Sequence, residues 1–266
     1  MKNMSLKSFL LTSLTLMVVG PLALASQSAS ATSDVSNNGT IKFTGEYDWE
    51  KVDPENPGKI VDPGESETTG KSLRIDYVPT LDFNQQVVSS EDQVYPAKAQ
   101  LFHDGTPARA NYVQVSDFRG TGKGWTLQLS QDYQFRNPED KNIILNGAVI
   151  SLNHSWANSA NQSTGKPEVQ KDVIEMMPGT TYDLATAKPG AGEGTWLISF
   201  GASETNKLSM KPSLEQMLVD KKPVTDPVYK QDVYVNNSVS LLVPGKTEKK
   251  AVPYQTVLTW TLSELP

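Results

Sequence analysis

Apolar and polar side chains alternate in short bursts along most of this chain, and Gly, Pro, Asn and Asp break one burst from the next. Alternation with period two places every second side chain on one face of an extended strand. Ile41 and Phe43, followed by Tyr47 and Trp49, predict a first strand and its exit. Residues 53–67 are dense in Pro, Gly and acids and predict an exposed loop. Residues 73–78 (Leu-Arg-Ile-Asp-Tyr-Val) then predict a strand, and so do 112–118, 125–130, 149–152, 196–200, 233–243 and 254–262. Only one short segment, residues 213–219, places apolar residues (Leu214, Met217, Leu218) at helical spacing, and it predicts a short helix. Many strands and almost no helix give an all-β fold class, an elaborated antiparallel β-sandwich or a barrel-like sheet with long loops.

Three of these strands carry a tryptophan. In Trp125-Thr126-Leu127-Gln128-Leu129 the Trp and both Leu share one face, with Thr126 and Gln128 opposite. In Leu258-Thr259-Trp260-Thr261-Leu262 the apolar face is Leu258, Trp260 and Leu262, and the other face is Thr259 and Thr261. The third, residues 195–200, aligns Trp196, Ile198 and Phe200. Two readings follow. The tryptophans anchor the core, as their apolar strand neighbours suggest, or they are exposed platforms for stacking sugars. The first reading leaves the Thr-bearing faces and the loops as the functional surface.

The N-terminus changes the setting. Lys2 and Lys7 precede an apolar stretch over residues 9–20, Pro21 breaks it, and Ala23-Leu24-Ala25 offers small residues at the −3 and −1 positions of a cleavage site. Residues 1–25 are expected to be an export signal too short to stay as a membrane span, 26–39 a Ser-, Ala- and Thr-rich flexible leader, and 40–266 the folded domain. No later segment is apolar enough to span a membrane, and residues 263–266 (Ser-Glu-Leu-Pro) carry no sortase motif, so covalent anchoring is not expected. The formal net charge is −6, which becomes −8 once Lys2 and Lys7 are removed. With no basic block, nucleic acid is not an expected partner. The chain has no cysteine, which excludes disulfides, thiolate chemistry and a lipid-modified N-terminal Cys.

The chain resembles a small WxL-domain cell-surface protein of Gram-positive bacteria. The likeness is carried by residues 115–127 (Val-Ser-Asp-Phe-Arg-Gly-Thr-Gly-Lys-Gly-Trp-Thr-Leu), 145–148 (Leu-Asn-Gly-Ala), 192–196 (Gly-Glu-Gly-Thr-Trp) and the terminal 258–266, with residues 70–83 similar to the family's first strand and turn. Asn84 departs from the Gly expected after Phe83. The resemblance implies an exported protein on the cell surface that binds the wall non-covalently. It implies peptidoglycan and companion surface proteins as partners; the residues themselves give no reason to expect a cofactor or an enzymatic activity. A secreted carbohydrate-binding or glycan-active protein, or an adhesin for a host or plant surface, are the alternatives.

The candidate wall-binding residues are Trp125, Thr126, Leu127, Trp260, Thr261 and Leu262, with Arg119, Lys123 and Thr259 as further contacts. Residues 119–124 (Arg-Gly-Thr-Gly-Lys-Gly) superficially suggest a phosphate cradle, but a strand follows where that motif needs a helix. A glycine-rich connection is expected instead. Asp48, Glu50, Asp53, Glu55, Asp62, Glu65 and Glu67 would suit calcium by ligand type, without EF-hand spacing, and no metal site is expected. His103 and His154 stand outside any metal or nucleophile motif, and no pair of acids shows the cleft-spanning arrangement of a glycosidase.

Overall fold

Residues 50–266 are described here by a computed structural model, and the proposed export signal, the leader and the strand expected over 41–49 lie outside them. Seventeen strands occur among these residues, and no helix. β1 (Val52–Asp53) and β2 (Asn56–Ile60) form a small hairpin. The first large sheet orders β3 (Leu73–Tyr77), β5 (Asn111–Asp117), β12 (Gly194–Phe200) and β8 (Ser155–Asn158) as β3-β5-β12-β8. The second orders β17 (Leu258–Glu264), β6 (Trp125–Gln131), β11 (Thr181–Ala187) and β9 (Glu168–Val169) as β17-β6-β11-β9. The third runs β10 (Ile174–Met176), β7 (Val149–Leu152), β16 (Tyr234–Val243) and β13 (Leu214–Gln216), with β4 (Gln93–Lys98) also on β16. All these pairings are antiparallel, so the expected class is confirmed.

The three sheets surround one core. Ile75, Val113, Val115, Trp196 and Ile198 enter it from the first sheet, Trp125, Leu127 and Leu129 from the second, and Ile150, Leu152, Met176 and Leu241 from the third. These are the inward positions that the alternation marked. The outer face of the first sheet is also covered. Tyr77, Tyr112 and Leu197 pack there with Val61 and Phe102.

Two expectations are corrected. Residues 213–219 are not helical: Leu214 pairs with Asn236 and Gln216 with Tyr234, while β14 (Leu218–Val219) turns back on β15 (Lys222–Pro223). Seven residues are too few for a helix to stand against an available sheet edge. Residues 53–67 are not simply an exposed loop. Asp53 is 1 % exposed and meets Arg109 through both carboxylate oxygens at 2.8 and 2.9 Å, and Glu55 accepts from Ser203. These two acids therefore lock the β1–β2 hairpin down. At Asn84 the φ angle is +60°, the left-handed conformation that Asn tolerates better than other non-glycine residues. The turn after Phe83 thus keeps the backbone shape a glycine would give it.

Candidate functional site

The two Trp-Thr-Leu segments are neighbouring strands. β17 pairs with β6 so that Trp260 lies opposite Leu129, Leu262 opposite Leu127, and Glu264 opposite Trp125. The register brings the two apolar faces together on the inside. Trp125 is 0 % exposed, and its indole N–H donates to the Gly192 carbonyl at 2.9 Å. Trp196 is also buried, and its indole donates to the Glu193 carbonyl. Trp260 is half-buried, because β17 is the edge of its sheet. None of these three tryptophans stands on the outer face, so the core-anchor reading holds for Trp125 and Trp196. Trp260 faces a cleft.

The outer face is a grid of small polar groups. Thr259, Ser130 and Thr181 form one row across three strands. Thr261, Gln128 and Asp183 form the next, and Ser263, Thr126 and Thr186 the third. Thr259, Thr261 and Ser263 are exposed, and Thr126, Gln128 and Ser130 half-buried. Gln128 donates to Asp183 at 2.7 Å and Thr259 to Asp132 at 2.8 Å. The hydroxyls of Thr126 and Thr261 make no hydrogen bond among the described residues, so both are available to a ligand. Apart from Asp183 the grid is uncharged, and it presents donors and acceptors at the regular spacing of a β-sheet.

The glycine-rich loop before β6 is held in place by charge. Arg119 binds both carboxylate oxygens of Asp117 at 2.8 and 2.7 Å, the Gly124 carbonyl at 2.9 Å, and Glu264. Lys123 reaches the same Glu264 at 2.6 Å and keeps 56 % of its side chain exposed. Gly120, Gly122 and Gly124 all have positive φ, and the loop leads into a strand, as expected of a connection and not of a phosphate cradle. The Arg119 guanidinium is therefore committed within the protein, and Lys123 is the more accessible of the two charges.

Glu264 ties the end of β17 to this loop. Hydrogen bonding to Lys123 and Arg119 holds its carboxyl below the ordinary carboxylate value. The link is complete above the ordinary carboxylate pKa and is lost as pH falls through the depressed one. Amide exchange at Ser263 and Leu265, whose backbone groups turn toward β6 and the loop before it, is expected to accelerate below about pH 4, more than acid alters exchange in the middle of β6. Glu264→Gln should show the fast exchange already at neutral pH.

Gly192 is the second fixed point. A Cβ there would lie 2.3 Å from the Ala187 Cβ and 2.6 Å from the Trp125 indole nitrogen, at a φ of +76°. Gly192→Ala is expected to cost about 2–3 kcal/mol in denaturant unfolding, since both the backbone and the indole must move. The loop 119–124 and the segment 192–196, distant in sequence, thus meet around Trp125.

The two histidines have different partners. His103 stacks on Tyr229 at 4.3 Å, and His154 Nδ1 lies 2.9 Å from the Ser238 hydroxyl. Ser238 is 2 % exposed, and no carboxylate is hydrogen-bonded to the His154 ring. No group of three or more metal-ligating side chains occurs among the described residues. No helix among them is long and apolar enough to cross a membrane. A protein-family model described as a WxL domain, surface cell wall-binding, matches residues 30–266. No curated protein and no solved structure matches the chain.

Proposed function

The chain belongs to the WxL-domain family of surface proteins that bind the cell wall, and from that premise we propose that it grips the peptidoglycan of the wall through the outer face of the β17-β6-β11-β9 sheet. One observation carries this reading: the two motif strands are adjacent, and their register merges Thr126, Thr259 and Thr261 into one exposed hydroxyl surface. Such a surface suits the hydroxyls and amides of a neutral polymer. The buried and half-buried tryptophans stiffen the sheet from behind and do not stack on sugars. Binding is non-covalent and involves no catalysis, in keeping with the occluded Ser238 beside His154. The protein works beside companion surface proteins, to which the exposed loops remain available.

The chain's net charge of −6 disfavours an ionic hold on an anionic wall. Binding to the glycan strands of purified peptidoglycan is therefore expected to be unchanged between about 0.1 and 1 M salt, where the Debye length falls from ~10 to ~3 Å. Release by salt would transfer the contact from the hydroxyl face to Lys123 and its neighbours. Running the assay with and without companion proteins separates direct binding from recruitment.

A further inference from the structure

We infer that the wall is also held by its peptide chains, one of which lies extended along the free edge of β17 and bonds to its outward backbone groups. The inference rests on the wall-binding reading and names a second ligand element for it. The bonds from Asp132 N–H to the Val257 carbonyl and from Leu265 N–H to the Gly124 carbonyl set the alternation of β17. Residues 257, 259, 261, 263 and 265 turn their backbone groups to β6. Leu258, Trp260, Leu262 and Glu264 turn theirs outward, and none of those groups is paired among the described residues. The opposite edge of the sheet is blunted: β9 is 2 residues long and follows Pro167. β17 is 7 residues long, with no proline, lysine or bulge to deter pairing.

The free edge opens on a cleft of about 1130 Å³ between β17 and β3. Leu258, Trp260, Ile75, Ile150, Leu241 and Val243 line it. Val87, at 89 % exposure, and Val88, at 56 %, stand at its rim. Apolar walls beside unpaired backbone groups fit an extended peptide. A lipid chain has no amide to bond to those groups, and a glycan carries only its widely spaced acetamides, whereas a peptide brings one amide per residue. Leu258 and Trp260, with one N–H and one C=O each, offer four hydrogen bonds to such a ligand.

Charge agrees with the choice. Lys249 and Lys250 line the cleft, and neither forms an ion pair among the described residues; the Lys249 ammonium is held only by the carbonyls of Pro244, Gly245 and Thr247. Glu67 also lines the cleft, while Asp82 is already paired with Lys98. Wall peptides bear free carboxylates, which the two lysines would meet. The cleft is continuous with the strand that carries the second family motif, so one polymer can contact the hydroxyl face and the edge together.

The test uses two soluble fractions of purified peptidoglycan, the peptides released by an amidase and the glycan strands left behind, titrated by calorimetry into the full mature protein. The released peptides are expected to bind. Leu258→Pro removes one outward N–H at a position where an edge strand accepts proline, and should weaken peptide binding about tenfold. Lys250→Glu, on an exposed residue, should weaken it similarly without risk to the fold. Both variants should retain glycan binding. No binding of the peptides at millimolar concentration, or peptide binding that neither substitution alters, overturns the inference. Occupation of the cleft by a strand from a companion protein instead would give the first of these results. Glycan-strand binding, or its absence, reports separately on the hydroxyl face.

Discussion

Trp125→Ala is expected to lower the stability of the folded protein by about 3–5 kcal/mol, the cost typical of emptying a fully buried aromatic site. Trp125 is 0 % exposed, sits among Leu127, Leu129 and Ala187, and donates its indole N–H to Gly192. Truncation therefore opens a cavity and leaves the buried Gly192 carbonyl without its donor. The loss should appear as a lower denaturant midpoint with an unchanged slope. Trp125→Phe keeps most of the volume and should cost less than half as much. A loss under about 1 kcal/mol for the alanine variant would mean that the core closes over the site and that Trp125 is no anchor. Because the effect is a large share of a domain's usual ~5–15 kcal/mol, weak wall binding by this variant would say nothing about where the wall is bound.

The triple variant Thr126→Val, Thr259→Val, Thr261→Val separates binding from folding. Val suits a strand as well as Thr does. The hydroxyls of Thr126 and Thr261 make no hydrogen bond within the described protein, so their removal leaves no partner stranded there. Thr259 gives up one bond, to the exposed Asp132. Thermal unfolding should shift little, as for most exposed sites. At about 1 kcal/mol for each lost ligand hydrogen bond, binding to peptidoglycan should weaken by ~3 kcal/mol, about a hundredfold. A folded triple variant that sediments with the wall like the parent would remove the hydroxyl face from the account.

The strands that build this face were readable because their period is unbroken. In β6 the burial of Trp125, Leu127 and Leu129 against half-exposed Thr126, Gln128 and Ser130 follows the sequence alternation one for one. β11 was not readable. A bulge between Asp183 and Ala185 interrupts its period, so Thr181 and Thr186 share the outer face although they are an odd number of residues apart. β4 was hidden by Pro96, which a central strand excludes and this position tolerates. The clamp from Arg119 to Glu264 spans 145 residues, and local spacing holds no trace of such a contact. The same limit applies to the cleft. Leu258 and Trp260 were recognisable as one apolar face, but whether that face is covered depends on β17 being an edge, which is a property of the whole sheet order.

The most direct measurement follows the threonine methyl groups by NMR, in mature protein labelled only at threonine, as solubilised peptidoglycan fragments are added. The account predicts that the signals of Thr126, Thr181, Thr186, Thr259 and Thr261 shift together and saturate, while those of Thr106, buried elsewhere, and Thr225, in a separate isolated bridge, stay fixed. Saturating shifts confined to threonines away from the β17-β6-β11-β9 sheet, with its own five unmoved, would contradict it.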